Sequence, residues 1–360
     1  MKIIDMHCDT ISLLLKRRRG GETCGLKEND CHVDLVRMKR SGYLLQNFAL
    51  FVNKESGEDP WEEVMAQLSL YSEEIAANTA FIAPALCYED IVRNESLDKM
   101  SSLLTVEEGA VCKGEIGKLQ ILHDKGVRMV TLTWNYPNEL GYPNLSHALG
   151  SKAWEMNREL KHSGLTGEAY LKAQAEADRV LKSYLNTPDT LHGLTERGRG
   201  FVAEMERLHM IPDVSHLSDA GFYDVLECTS RPFVASHSNA REVCPCARNM
   251  TDDMIRALAE RGGVMGLNFC ADFLTEKPAG VSNPGTISDI VAHAAHIVKV
   301  GGMEVLGLGS DFDGIDTHEE LPGAEKMELL ADALQKGGFR HSQVEKIFSG
   351  NVLRLYKEVL

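Results

Sequence analysis

Short apolar runs rich in branched residues alternate along this chain with longer segments whose apolar positions recur at helical spacing. Eight runs read as strands: Lys2–Met6, Leu44–Val52, Ser101–Val106, Arg128–Thr133, Ile211–Ser215, Pro232–Ser236, Val264–Asn268 and Val305–Leu308. Between them the pattern predicts helices, among them Pro60–Asn78, Ile116–Lys125, Glu196–Leu208, Thr251–Arg261 and Ile287–Val300. Thr251 is a good cap and is followed by Asp252 and Asp253, whose charge suits a helix N-terminus. Ser218-Asp219 opens another helix in the same way. The C-terminal stretches Gly323–Lys336, Ser342–Phe348 and Asn351–Val359 also read as helices, expected to seal the structure. Such alternation marks βα units on a parallel sheet, and eight units predict an α/β fold of (β/α)8 TIM-barrel type as a single domain over residues 1–360. One segment departs from the pattern. Asn135 to His192 is polar and carries no strand signal, while Glu168–Leu185 is strongly helix-forming. It is expected to be a polar helical insertion at about 135–192, after the fourth predicted strand. A surface excursion is the plain reading, and a lid or a subunit contact is the functional one.

In such a barrel the chemistry sits at the C-terminal ends of the strands. The first predicted strand runs into His7 and Asp9, two residues apart and so on one side of an extended chain. The third ends in Glu107-Glu108-Gly109, the fourth in Trp134-Asn135, the fifth in His216 and the sixth in His237. The seventh ends in Asn268 and the eighth in Asp311-Phe312-Asp313. Three imidazoles with two or three carboxylates exceed the needs of one Zn²⁺ and suit two metals bridged by a carboxylate. A pair of that kind can hold a shared hydroxide at neutral pH and polarise a carbonyl. The expected chemistry is metal-assisted hydrolysis of an amide or ester.

Composition narrows the picture. Of 360 residues, 43% are hydrophobic and 25% charged, enough apolar material for a large core. The net charge of -15 leaves no excess of cations to neutralise phosphates, which excludes nucleic acid as the expected partner. The nine cysteines are scattered, with no Cys-x-x-Cys pair, so reduced thiols in a cytoplasmic protein are expected rather than a thiolate site. The first strand begins at once, leaving no room for a signal peptide, and no apolar run reaches the length of a membrane span. The Lys16-Arg17-Arg18-Arg19 run reads as a solvated helix end.

Six motifs in order along the chain carry a resemblance. Asp5-Met6-His7-Cys8-Asp9-Thr10, Val106-Glu107, Asp213-Val214-Ser215-His216-Leu217-Ser218, Ser236-His237-Ser238, Ala247-Arg248-Asn249 and Gly309-Ser310-Asp311-Phe312-Asp313-Gly314 resemble the motifs of the membrane (renal) dipeptidase family of zinc peptidases, which have amidohydrolase-type metal-dependent barrels. The resemblance implies a binuclear zinc centre. His7 and Asp9 would bind one ion, Glu107 would bridge, and His216 and His237 would complete the second. Glu107 is preferred over Glu108, because a shift of one residue reverses facing and the family has Gly at the second position. Arg248 would hold the free carboxylate of a dipeptide, where a guanidinium fork suits two oxygens. Asp311 would move the proton from the attacking water to the leaving amine. Trp134 stands where better-known members have His, and Phe273 where they have an aromatic hydroxyl; with Asn268 these are the further residues expected along the substrate. Asp313 reads as a turn residue, Asp213 as structural, and the remaining histidines are assigned no role. The implied function is hydrolysis of a small dipeptide, with a homodimer possible. The rival readings are another amidohydrolase-type activity, such as a deacylase or a cyclic amidase, and a non-catalytic zinc-binding barrel.

Overall fold

The computed structural model describes residues 1–145, 147–276 and 285–360. Among the described residues there are nine strands: β1 (Ile3–Asp5), β2 (Tyr43–Phe51), β3 (Ile82–Pro84), β4 (Met100–Glu107), β5 (Val127–Thr131), β6 (Ile211–Asp213), β7 (Val234–Ala235), β8 (Val264–Leu267) and β9 (Leu306–Leu308). All pairings between them are parallel. β1 pairs with both β2 and β9, and β2 passes over β3 to pair with β4, so eight strands close into a barrel. The eight predicted strands are those eight. β3 was not expected. It lies against the first half of β4, on the edge that β5 occupies further along: Ile82 pairs with Met100, and Val127 with Leu104.

Parallel strands need long crossovers, and helices supply them here. Pro60–Ala77, Ile116–Asp124, Glu196–Arg207, Asp252–Glu260 and Ile287–Gly301 match the expected segments to within a residue or so. Thr251 accepts from the Met254 amide at 3.2 Å and Ser218 from the Gly221 amide at 3.0 Å, so both helices start at their expected caps. The C-terminal helices differ in detail. His341–Glu345, Lys346–Gly350 and Asn351–Val359 run on through a π-helical turn rather than as two separate helices. Val352, Leu355, Tyr356 and Val359 from this run pack with Ile4, Met6, Leu45, Leu103, Met129, Ile211, Val234 and Val264. Apart from Met6, which follows β1, these residues come from the starts and middles of their strands, so the C-terminal helix closes the barrel at the end opposite the rim. The fully buried Tyr356 hydroxyl donates to Asn47 Oδ1 at 2.8 Å.

Within 135–192, of which residue 146 lies outside the described residues, two helices form, His147–His162 and Gly167–Asn186. Only the second was expected. The Lys16–Arg19 run is the last turn of the helix Thr10–Arg19, where cations suit the dipole. Arg17, Arg18 and Arg19 pair there with Glu22, Asp30, Glu73, Glu74 and Glu63.

Candidate metal centre

Beyond the ends of β1, β4, β6, β7 and β9 the chain brings its histidines and acids to one point. His7 Nε2 lies 3.2 Å from Glu107 Oε2, 3.5 Å from Asp9 Oδ2 and 3.9 Å from Asp311 Oδ1. On the other side of the same carboxylate, Glu107 Oε1 lies 3.0 Å from His216 Nε2 and 3.5 Å from His237 Nε2. Three overlapping triads result: His7, Asp9 and Glu107; Glu107, His216 and His237; and His7, His237 and Asp311. In each, the ligand-type atoms lie within 4.8 Å of one another. The two oxygens of Glu107 thus face two separate groups of donors.

Backbone geometry contributes to this convergence. His216 and Asp311 adopt positive φ, 68° and 64°, a costly conformation for residues with a side chain, and Asp313 does so at 70°. Gly314 allows a close approach: a Cβ there would stand 2.1 Å from Asp9 Oδ2 and 2.6 Å from Asp311 Oδ1. Two buried aspartates brace the strand ends in the same manner. Asp5 accepts from the His7 amide and from both the amide and hydroxyl of Ser310. Asp213 accepts from the Ser215 amide, from the amide and hydroxyl of Ser236, and from Thr131 Oγ1.

The donor set fits divalent cations. Asp9 Oδ1 is buried without a hydrogen-bond partner, which is costly for a polar atom that nothing satisfies, and His7 Nε2 has only the neighbouring carboxylates of Glu107 and Asp9. The Nδ1 atoms of His216 and His237 are occupied, by Asn135 Oδ1 at 3.0 Å and Ser236 Oγ at 2.7 Å. Asn135 Oδ1 can only accept, and Ser236 already gives its proton to Asp213, so both Nδ1 atoms carry hydrogen and both Nε2 atoms present lone pairs. The two Nε2 atoms lie 3.1 Å apart, with lone pairs turned toward each other, an arrangement that suits a shared cation. Burial holds both imidazoles well below their ordinary pKa, in the neutral, ligating form. For His7, burial also opposes the charge, but the carboxylates of Glu107 and Asp9 outweigh it and its pKa rises. Burial pushes Glu107 up to about 7, with the charge of Asp9 adding to the rise. It likewise pushes Asp311 up to about 6. Without a counter-charge this much carboxylate does not sit ionised in one buried place.

The other expected residues fall around this cluster. Glu108 faces away: its carboxylate accepts from the amides of Ala110 and Trp134, and from Asn138. A cleft of about 650 Å³ opens above the cluster, lined by Asp9, Glu107, His216 and Asp311 and by Phe51, Trp134, Cys270 and Phe273. Trp134 stacks edge-on against Phe51, with centroids 4.9 Å apart. Arg248 is buried, donates to Ser238 Oγ at 2.8 Å and to the His237 carbonyl at 2.9 Å, and leaves Nε without a partner. Among the described residues no carboxylate comes within 4.0 Å of it, and Phe273 lies under it at 5.7 Å. Asn268 is not a wall of the cleft. Its amide group donates to Asp311 Oδ2 at 2.9 Å and its carbonyl accepts from the Cys270 amide, so it orients Asp311. Asp313 accepts from Thr10 and from the His32 amide, as a turn residue would. The sequence reading assigned no role to Ser236, Ser310, Asn135 or His32. The one signal for the two serines is a small polar residue at the apolar end of a strand.

The sequence profile of the membrane dipeptidase family, peptidase family M19, matches residues 1–166 and 156–360. An uncharacterised protein from the pqqA 5′ region of Klebsiella pneumoniae is 31% identical over 303 residues, 84% of this chain and 97% of that one. An uncharacterised dipeptidase of Schizosaccharomyces pombe is 29% identical, covering 99% of this chain and 80% of its own. Among solved structures, dipeptidase AC, a metallopeptidase of family M19, superposes with a TM-score of 0.81 at 26% identity, covering 100% of this chain and 98% of that chain. A metallopeptidase of Rhodobacter sphaeroides, bound to a phosphinate mimic of the dipeptide L-Ala-D-Ala, shares the fold with a TM-score of 0.82 at 24% identity, over 100% of this chain and 99% of that one. The chain belongs to the membrane dipeptidase family, M19, and is a hydrolase of peptide bonds.

Proposed function

We propose that this member of the membrane dipeptidase family is a zinc-dependent dipeptidase that cleaves dipeptides into two amino acids. One observation carries the reading: ligand-type atoms of His7, Asp9, His216 and His237 gather around the two oxygens of Glu107, with Asp311 beside His7 and His237. His7, Asp9 and Glu107 would hold one ion; Glu107, His216 and His237 would hold the other. Bound there, the pair supplies Lewis acidity and a water activated at neutral pH.

The protein's own residues do the rest. Arg248 grips the free carboxylate of the dipeptide. Its buried cation, lacking an acidic partner among the described residues, is matched by a ligand that brings the missing charge. Asp311 takes the proton of the attacking water at its cleft-facing oxygen and delivers it to the leaving nitrogen, and Asn268 holds the carboxylate in place by its other oxygen. Burial raises Asp311 to about 6, close to the range in which a group both accepts and gives a proton near neutrality. Trp134 can donate a hydrogen bond but takes up no proton, so Asp311 carries the proton transfer alone. The nine cysteines are free thiols, which supports a reducing compartment such as the cytoplasm. Among the described residues no helix is long and apolar enough to cross a membrane.

The test is a panel of L,L- and L,D-dipeptides, their C-terminal amides and N-acyl amino acids, offered to the zinc-loaded protein. Cleavage confined to dipeptides with a free carboxylate is expected. Turnover of N-acyl amino acids in preference to dipeptides would replace this reading with a deacylase, and tight zinc binding with no turnover would remove the enzyme reading altogether.

A further inference from the structure

Asn144 lies in the stretch between β5 and β6, far in sequence from every residue of the metal centre. It is buried, and its main-chain N–H and its side-chain amide are engaged. Its main-chain N–H donates to the carbonyl of His216 at 2.8 Å. Its side-chain amide donates to Asp219 Oδ1 and to the carbonyl of Ala247, each at 2.7 Å. Its side-chain carbonyl accepts from the Asp189 amide at 2.9 Å. One residue thus touches the backbone of a metal-ligand candidate, the residue before Arg248, and the returning end of the helical excursion.

The peptide next to Arg248 is correspondingly fixed. The Ala247 carbonyl accepts from Asn144 and, at 2.9 Å, from Arg241, while the Ala247 amide donates to the Leu185 carbonyl at 2.7 Å. Arg241 is itself held by both oxygens of Asp219 at 2.7 Å, and its Nε donates to the Asn249 carbonyl at 2.9 Å. The backbone on each side of Arg248 is therefore tied down by groups that never reach the cleft.

We propose that Asn144 is a positioning residue: its side chain fixes the loop that carries Arg248, and its main chain holds the loop that carries His216, so that carboxylate clamp and metal centre face one substrate in fixed relation. The inference rests on the dipeptidase reading with Arg248 as clamp. It has an asymmetric consequence. Asn144→Ala removes three side-chain bonds, two donated and one accepted, but leaves the main-chain bond to His216, so the clamp loosens while the loop of His216 stays. The lost bonds hold the loop rather than the substrate, so together they are expected to reach KM as roughly a tenfold change.

The experiment compares wild type, Asn144→Ala, Arg248→Ala and the double variant, all zinc-loaded, for metal content and for kcat and KM on a dipeptide and on its C-terminal amide. Wild type preferring the free dipeptide establishes the clamp; cleavage of both without preference removes Arg248 from the clamp role and overturns this proposal, while absence of dipeptide cleavage sinks the dipeptidase reading itself. Given that preference, Asn144→Ala is expected to raise KM for the dipeptide about tenfold, with zinc content kept and kcat changed less. In the Arg248→Ala background the same substitution is expected to change KM little, since its effect passes through the guanidinium. Unchanged KM, or an effect that simply adds to that of Arg248→Ala, overturns the proposal. Should Asn144→Ala not accumulate as folded protein, Asn144→Asp decides in the same way. It keeps the acceptor for Asp189, loses both donors and sets a second carboxylate against Asp219.

Discussion

At the scale of single residues, the convergence of His7, Asp9, Glu107, His216 and His237 was legible because each stands at or just past the end of an apolar strand, and a barrel turns that sequence position into a shared rim. What supports these side chains was not legible. Ser236 and Asp213 act on His237, and Asn268 acts on Asp311 from 43 residues away, through contacts that only the closed sheet creates. Gly314 shows the same dependence on tertiary structure. A Cβ there would meet Asp9 and Asp311, so Gly314→Ala is expected to displace Asp9 and weaken zinc binding by about 10–100-fold, read by chelator competition. His293 was assigned no role and proves to be a neutral, structural imidazole. Its Nε2 donates to the Leu274 carbonyl at 2.8 Å and its Nδ1 accepts from the Ala240 amide at 3.1 Å. Burial pushes it down to about 4 from an ordinary 6.5. Above pH 6.5 both folded and unfolded chains hold it neutral, and its contribution is complete. As pH falls below 6.5 the unfolded chain takes up a proton that the folded one refuses, and stability is lost down to about 4, by an amount on the order of 3 kcal/mol. His293→Gln is expected to flatten this loss, measured as urea midpoints between pH 7 and pH 4.5.

At the scale of elements, all eight barrel strands could be read from apolar runs, because a buried parallel strand needs little else. β3 could not. Ile82–Pro84 is three residues long, ends in a proline and borders only the first half of β4, so it has almost no pattern to present. The helix His147–His162 was missed because its sequence is largely polar, and it is held by packing against Gly167–Asn186 rather than by an apolar face read in isolation. The C-terminal helix was expected to seal the barrel and does so from the end away from the chemistry. Leu355→Ala, which empties part of that plug, is expected to cost about 2–5 kcal/mol of stability while leaving kcat/KM per folded molecule unchanged. Thermal unfolding beside an active-site titration checks both halves.

At the scale of the whole molecule, a chain of net charge -15 gathers Asp9, Glu107 and Asp311 with three imidazoles in one buried cup. The burden of those carboxylates falls on the metal-free protein. Glu107 at about 7 and Asp311 at about 6 stand above their ordinary values of 4.5 and 3.8, so their protonated forms are favoured by folding. Their contribution is complete below pH 4 and is lost as pH rises through 6 and 7, where the folded cup has to ionise. Chelated protein is therefore expected to lose thermal stability between pH 5.5 and 8, and zinc is expected to restore it most at the alkaline end. The most direct measurement is metal stoichiometry by elemental analysis, on wild type, His216→Ala and Asp9→Asn dialysed against limiting free zinc. The account predicts two zinc ions per wild-type chain and no more than one in each variant. Variants that keep the full wild-type content, or a wild type that holds none, would contradict it.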